Sequence, residues 1–221
     1  MNTIYVVDLG RREYDEVLEI QGRLEKRVVE DKKKGYLLIS ENPPVITVGR
    51  SAEDNEVIYS DERLKSLGIS KYTTERGGRV TLHGPGQVVG YPIINLESYK
   101  KDLHWYLTAL EDVVGETLMK LGVETFKSQG KTGVWTKRGK VCAIGVKVKR
   151  WVTTHGFALN HTIDLNLFNS INPCGLKEDG LAKIEDYMEG IERKEVLQSI
   201  YSSFEEGFQC TVKEVEIEEI L

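Results

Sequence analysis

The chain has 221 residues, of which 40 % are hydrophobic and 29 % charged, and its formal net charge at pH 7 is −5. These values are ordinary for a soluble globular protein with a substantial core, and the negative charge argues against general affinity for nucleic acid. No segment is apolar enough to span a bilayer, and residues 1–15 lack the pattern of a secretion signal, so we expect a cytoplasmic protein that does not enter a membrane. The three cysteines are far apart, odd in number and form no CxxC pair, which argues against a disulfide framework or a structural zinc site.

Apolar residues recur at helical spacing in three segments, and they predict helices over 14–28, 102–122 and 196–208. The first helix is expected to stop at Gly35, after the basic run 32–34. Strand patterns occupy 36–40, 45–49, 88–94, 133–136, 140–148 and 151–160, and a last strand is expected around Val215 and Ile217. Because strands and helices alternate without a repeat or a linker, we predict an α+β fold, a mixed β-sheet with helices packed on it, as one domain over 1–221.

The segment 76–91 reads RGGRVTLHGPGQVVGY and places five glycines among polar residues. Glycine lets a ligand approach the main chain closely, while Arg76 and His83 supply polar groups on a frame that Pro85 stiffens. Neither phosphate-binding pattern, GxxxxGK[ST] or GxGxxG, is present. The segment therefore indicates either a ligand-positioning loop or a tight turn before the strand that follows.

Lys140 begins a predicted strand, and the two-residue period places it on one face with Cys142, Ile144, Val146 and Val148. One interpretation is a strand end whose lysine stem covers the core while the amine stays in water. The other is a partly desolvated amine that can act as a base.

Cys174 lies in the loop-like tetrapeptide Asn172-Pro173-Cys174-Gly175, unlike Cys142 and Cys210, which we interpret as structural. A thiol in such a loop is a candidate nucleophile, and it needs a nearby base or cation because a free thiol is mostly protonated at neutral pH.

Eight basic residues and no acid occur between 125 and 163. They form either a docking face for an acidic partner or an ordinary surface balanced by acids from elsewhere in the fold. The eight are Lys127, Lys131, Lys137, Arg138, Lys140, Lys147, Lys149 and Arg150.

Four motifs in chain order closely resemble the octanoyltransferases of lipoate biosynthesis: RGGRVTLHGPGQVVGYPI from Arg76, GKVCAIGV from Gly139, WVTTHGFALN from Trp151, and the Asn-Pro-Cys-Gly loop. The earlier segment NPPVITVGR from Asn42 shares the resemblance. The resemblance extends from about residue 37 to residue 175. It implies the fold of the biotin and lipoate protein ligase superfamily, an octanoyl donor on acyl carrier protein, and an acceptor lysine on a lipoyl domain or glycine-cleavage H protein.

The resemblance also implies the site. The catalytic nucleophile falls on Cys174, and the essential lysine that activates the thiol falls on Lys140. The implied substrate-binding residues are Arg76, Gly77, Gly78, Arg79, Val80, Thr81, Leu82, His83, Ala143, Ile144, Gly145, Gly156, Phe157 and Ala158. The small residues among them are expected to leave a groove for an eight-carbon chain.

The resulting hypothesis is acyl transfer through a thioester on Cys174, without metal or other cofactor because the donor thioester is already activated. Three alternatives stay open. The first is an ATP-dependent lipoate or biotin protein ligase of the same fold. The second is a thiol hydrolase that pairs Cys174 with His83 or His155. The third is a non-catalytic module that binds acyl carrier protein through the basic residues.

Overall fold

A computed structural model describes residues 2–172 and 180–221 of the chain. In these residues, eleven strands form two sheets: β1 Thr3–Arg11, β2 Lys34–Glu41, β3 Val45–Val48, β4 Ser70–Thr73, β5 Val80–His83, β6 Gln87–Ile93, β7 Phe126–Ser128, β8 Lys131–Thr136, β9 Gly139–Lys149, β10 Val152–Asn160 and β11 Thr211–Glu214. The α-helices of the same residues are α1 Tyr14–Glu30, α2 Asp61–Ser66, α3 Leu103–Lys120 and α4 Arg193–Phe208.

The larger sheet has the strand order β11-β1-β2-β6-β10-β9-β8-β7. Strand β1 is parallel to β2 and β11, and the other neighbours in this sheet are antiparallel. The smaller sheet has the order β4-β3-β5, with β3 parallel to β4 and antiparallel to β5. This architecture confirms the predicted mixed sheet with packed helices, whereas the single domain over 1–221 stays a prediction.

Helices cover both faces of the larger sheet. On one face α3 and α4 pack against β8, β9 and β10, and this core includes Leu110, Val114 and Phe204. On the other face α1 contributes Val17 and Leu24 to a second apolar cluster. Burying each such side chain contributes roughly 1.5–3 kcal/mol, so the packing of the helices stabilises both faces of the sheet. No helix in the described part of the chain is long and apolar enough to cross a membrane.

The structure corrects two predicted ends. Helix α1 stops at Glu30, and Gly35 lies inside β2, where a Cβ would come within 2.7 Å of Ile94 Cγ2, so this glycine serves strand packing and does not end a helix. The last strand is β11, which pairs with the start of β1. The segment Ile217–Glu219, expected to continue a strand, forms a turn of 3₁₀ helix. Strand β1 itself was not predicted.

Candidate active site

A cavity of about 330 Å³ lies between the larger sheet, the segment 76–83 and the start of α1. Its floor includes two cross-strand pairs of small residues on β9 and β10, Ala143 with Ala158 and Gly145 with Gly156. These residues leave space above the sheet because each carries only a methyl group or no side chain. The volume falls in the range of about 300–1,000 Å³ typical of small-molecule sites.

The cover of the cavity approaches the floor closely. A Cβ on Gly145 would lie 3.1 Å from the carbonyl oxygen of Gly77 and 3.3 Å from Arg76 Cδ. The Gly77 N–H donates to the carbonyl oxygen of Val146 at 2.8 Å, which ties the glycine-rich segment to β9. Residues 76–79 therefore lie over the cavity, while 80–83 form β5 and a turn at 84–86 leads into β6, so the segment includes the expected turn, and its role in positioning a ligand stays a prediction.

Lys140 points into this cavity, on the face opposite to the one predicted. The register between β8 and β9 shifts there: Trp135 pairs with Lys140, whereas Val134 pairs with Cys142, so Val141 is an extra residue. Such a bulge breaks the two-residue alternation. Cys142 consequently packs among the residues beneath α3 and α4, while Lys140 borders the cavity together with Trp135 and Ala143. The expectation that Lys140 shares a face with Cys142 was wrong for this reason.

The Lys140 side chain fits into a site that β8 prepares for it. Its Nζ donates to the carbonyl oxygen of Thr132 at 2.9 Å and lies 4.8 Å from the centroid of the Trp135 ring. Gly133 has a φ of +135°, and a Cβ there would come within 2.5 Å of Lys140 Cε. Glycine at 133 is therefore required both by the backbone and by the space that the lysine occupies. No sequence pattern marked Thr132, Gly133 or Trp135 as part of the site.

Arg76 is a buried cation at the other end of the floor. Its Nη2 donates to the carbonyl oxygen and hydroxyl of Thr47 at 2.6 and 2.8 Å, and its Nη1 donates to the carbonyl oxygen of Gly77 at 3.1 Å. Burial lowers the pKa of Arg76 from its ordinary value, although an arginine remains charged. Its hydrogen bonds hold the guanidinium in place while its charge faces the cavity.

His83 is oriented by a chain of buried amides. Gln87 Nε2 donates to Asn160 Oδ1 at 2.9 Å, and Asn160 Nδ2 donates to the carbonyl oxygen of Ala182 at 3.0 Å. Gln87 Oε1 is then the acceptor for His83 Nδ1, 2.8 Å away, so we assign the imidazole proton to Nδ1. Burial lowers the pKa of His83 to about 4, and the ring is neutral at pH 7.

Most of the implied substrate-binding residues surround this cavity. They are Arg76, Gly78, Arg79, Val80, Thr81, His83, Ala143, Ile144, Gly145, Gly156, Phe157 and Ala158. Two are not among the residues that line it: Gly77, which contacts β9, and Leu82, which is fully buried in a separate apolar cluster with Ile46 and Leu64. The Phe157 ring packs against Phe204 on the opposite face of the sheet, with their centroids 6.4 Å apart.

Tyr14, Val89, Tyr91 and His155 also line the cavity. The sequence offered no signal for Tyr14, which arrives from the start of α1 and stacks on His83 at 6.0 Å between centroids. The alternation along β6 could have indicated Val89 and Tyr91. The Tyr91 hydroxyl donates to Asn42 Oδ1 at 3.2 Å.

Cys174 lies outside the residues that the structure describes, so we give no distance between its thiol and the Lys140 amine. The chain on either side is described. The Asn172 N–H donates to the carbonyl oxygen of Glu56 at 2.6 Å, and the Lys140 N–H donates to the carbonyl oxygen of Gly180 at 3.1 Å. The Ala182 N–H donates back to the carbonyl oxygen of Lys140 at 3.0 Å, so residues 180–182 run directly beside Lys140.

The other two cysteines are poor nucleophiles. Burial raises the pKa of Cys142 to about 12 and that of Cys210 to about 11. Both thiols lie in the core beneath α3 and α4, in agreement with their interpretation as structural residues.

The basic segment is partly neutralised by acids from other elements. Lys127 pairs with Asp112 at 2.5 Å, Lys137 with Glu124 at 3.2 Å, and Lys147 with Glu75. Arg138 stacks on the ring of Tyr187 at 5.4 Å. Lys149 and Arg150 remain as exposed charges at the tip of the hairpin between β9 and β10. The basic surface that could face an acidic partner is therefore narrower than the eight residues of the sequence suggested.

Comparison with known proteins identifies the family. The sequence model described as "Lipoyl protein ligase A/B catalytic domain" matches residues 13–205. The chain belongs to this family. It is 38 % identical to the octanoyltransferase of Flavobacterium psychrophilum, over 95 % of this chain and 98 % of that protein. It is 45 % identical to the octanoyltransferase of Solibacter usitatus over 76 % of each chain. The predicted resemblance is thus confirmed.

Solved structures agree on the fold. A bipartite lipoate protein ligase from Thermoplasma acidophilum superposes with a TM-score of 0.80 at 14 % identity, covering 98 % of this chain and 88 % of that one. The biotin protein ligase of Aquifex aeolicus gives a TM-score of 0.52 at 12 % identity, covering 95 % of this chain and 70 % of that one. At these identities the likeness concerns the fold alone, and it confirms the predicted biotin and lipoate protein ligase architecture.

Proposed function

We propose that this chain is an octanoyltransferase that moves an octanoyl or lipoyl group from acyl carrier protein, through a thioester on Cys174, to a lysine of a lipoyl domain or of glycine-cleavage H protein. The observation that carries the proposal is the position of Lys140. The bulge at Val141 turns its amine into the cavity, whose floor consists of small residues, and residues 180–182 run beside Lys140. The curated relatives of the chain are octanoyltransferases, which supports the same reaction.

The cavity suits a saturated acyl chain. Ala143, Ala158, Gly145 and Gly156 form its floor, and Val89 continues the apolar surface on β6. Each buried methylene contributes about 0.8 kcal/mol, so eight carbons supply substantial binding energy without any polar contact. We propose that the carbonyl end of the chain lies near Lys140.

The proposed reaction has two halves. Lys140, as a neutral amine, accepts the Cys174 thiol proton, the thiolate attacks the thioester carbonyl carbon, and the bond from that carbon to the carrier sulfur breaks. The carrier thiolate leaves and takes the proton from Lys140, which returns the amine to its neutral form. The amine of the acceptor lysine then attacks the acyl-enzyme, an amide bond forms, the thiolate of Cys174 leaves, and Lys140 accepts the proton that the amine loses. The donor thioester supplies the activation, and no step of this scheme requires ATP or a metal ion.

Intact-mass analysis of the protein incubated with octanoyl carrier tests the scheme. We expect a mass increase of one octanoyl group, mapped to Cys174 by peptide analysis and lost when an acceptor lipoyl domain is added. An octanoyl group on Cys142 or Cys210 would contradict the assignment of the nucleophile. Release of free octanoate in the presence of acceptor would instead indicate the hydrolase.

The runner-up is an ATP-dependent lipoate or biotin protein ligase, which the solved structures match only in fold. The two functions differ in their energy source. A ligase activates a free acid with ATP, whereas the proposed transferase needs only the thioester. Octanoylation of a lipoyl domain from octanoyl carrier, in a reaction from which nucleotide has been removed, therefore excludes the ligase as the sole activity.

We further propose that Lys149 and Arg150 contribute to docking of the acidic carrier. Replacing both by glutamate is expected to raise the KM for octanoyl carrier about tenfold at low salt and to flatten its salt dependence, because complementary charges act mainly on encounter. A small octanoyl thioester without the carrier protein should be used equally well by both proteins. Lys65→Glu, a charge reversal at an exposed position of α2, is the matched control. An unchanged KM for the octanoyl carrier protein would contradict the proposal that Lys149 and Arg150 dock the carrier.

A further inference from the structure

His155 occupies an unusual backbone position at the end of the cavity floor. It directly precedes Gly156 and pairs with Val146 across the strands, and its φ is +57°, in the left-handed region that side chains other than glycine rarely adopt. Strict alternation would place His155 on the face opposite to Ala158 and Gly156, yet its side chain borders the same cavity as they do. The left-handed residue is thus what brings an imidazole to this end of the floor.

The conformation is held from outside the strand. The His155 N–H donates to Gln21 Oε1 at 2.8 Å, and Gln21 is a buried residue of α1. The imidazole itself is buried, and burial, followed by the charges of Arg76 and Lys147, lowers its pKa to about 4. A neutral ring beside the Arg76 guanidinium therefore forms a polar wall at the end of an otherwise small and apolar floor.

A second cavity of about 230 Å³ lies beyond this wall. It is bounded by α1 and by the segment 73–75, and its lining includes Gln21, Thr74 and Lys147. Among the described residues, His155 is the one that borders both cavities. Its side chain consequently separates an acyl-sized groove from a polar chamber.

The two ends of the floor are chemically different. Lys140 lies at one end, and β9 runs five residues from there to Gly145, where Arg76 and His155 close the groove. An acyl chain whose carbonyl is held near Lys140 directs its terminal methyl group toward His155. We infer that His155, fixed in its left-handed conformation by Gln21, is the stop that sets the longest acyl chain this enzyme accepts. This inference rests on the proposed function.

An acyl chain longer than the groove has no apolar surface to bind beyond this wall. Its last methylenes must displace a packed imidazole or lie against the Arg76 guanidinium, and neither polar group gains anything from the contact. Removal of the imidazole joins the two cavities, so the end of a longer chain can enter the second chamber. The selectivity for chain length should therefore change at this residue.

The test is His155→Gly, assayed with octanoyl, decanoyl and dodecanoyl carrier. Glycine adopts a φ of +57° without strain and keeps the N–H that Gln21 accepts, so the backbone is expected to persist. We expect the ratio of kcat/KM for decanoyl to that for octanoyl transfer to rise at least about tenfold, the discrimination that one or two methylenes allow. His155→Asn, which also tolerates the left-handed region, leaves a shorter polar stop and should give an intermediate ratio.

The outcomes separate this inference from the proposed function. If the wild-type enzyme transfers octanoyl groups but both variants keep the wild-type ratio, His155 is not the stop, while the transferase assignment stands. If the wild-type enzyme forms no acyl-enzyme with any donor, the proposed function fails and the inference falls with it. Should His155→Gly not fold, as judged by circular dichroism, an unchanged ratio in His155→Asn is by itself sufficient to overturn the inference.

Discussion

Replacing Lys140 by alanine is expected to lower kcat for octanoyl transfer by roughly 10³-fold, within the range of about 10²–10⁴ that a positioned acid-base group contributes. The amine borders the cavity and accepts protons in both halves of the proposed reaction, so both acyl-enzyme formation and its discharge should slow.

Cys174→Ser should abolish transfer altogether, because a hydroxyl without strong activation does not replace a thiolate as nucleophile. Single-turnover assays with octanoyl carrier measure the two halves separately.

The control for Lys140→Ala is Lys149→Ala. Both lysines lie on β9, but Lys149 is exposed at its far end, whereas Lys140 contacts Thr132 and the Trp135 ring. Lys149→Ala should keep wild-type kcat with a small octanoyl thioester. Thermal unfolding should show that Lys140→Ala remains folded, since the substitution removes no apolar core. A Lys140→Ala enzyme with wild-type rates in both halves would end the assignment of this residue as the base.

Replacing Gly156 by alanine is expected to lower the free energy of unfolding by more than about 4 kcal/mol or to prevent folding. Losses of this size are exceptional for a single substitution, and severe steric overlap in the core is one of their causes. A Cβ at this position would lie 2.1 Å from the carbonyl oxygen of Gly90 and 2.6 Å from Pro92 Cδ. Both atoms belong to β6, which is hydrogen-bonded to β10 on one side and to β2 on the other and therefore cannot easily move away from the added methyl group. Urea denaturation followed by circular dichroism measures the loss.

The matched control for Gly156→Ala is Gly22→Ala in α1. No atom lies within 4 Å of a Cβ built on Gly22, and alanine is the better helix former, so this variant should be more stable by about 0.5–1 kcal/mol. Opposite signs for the same chemical change would show that the close approach of β10 to β6 is responsible. Equal stability of Gly156→Ala and the wild-type protein would mean that β6 and β10 can separate at little cost.

The sequence was sufficient for the parts of the fold that depend on local periodicity. Helices α3 and α4 follow directly from their apolar spacing, and strands β6, β9 and β10 lie where strand patterns were predicted. Strand β1 was missed because its partners, β2 and β11, come from distant parts of the chain. Gly35 was misread because its packing against Ile94 is a tertiary contact that no local pattern reports.

The candidate site shows the same division. The glycine-rich segment and Lys140 stood out as residues, and family resemblance supplied their proposed roles. The contacts that prepare the site did not stand out: Gly133 makes room for the lysine, Tyr14 stacks on His83, and Gln21 fixes His155. Each of these pairs joins residues from different elements, and only the folded chain shows which elements meet.

The extra residue at Val141 makes the direction of the Lys140 amine a matter of phase along β9. The same Lys-Val-Cys order on a strand without this bulge would turn the amine toward the helices, because residues two positions apart on a regular strand share a face. The direction of the amine therefore depends on the local register of β9 as much as on the identity of the residue, and transferring the segment to a regular strand would not reproduce it.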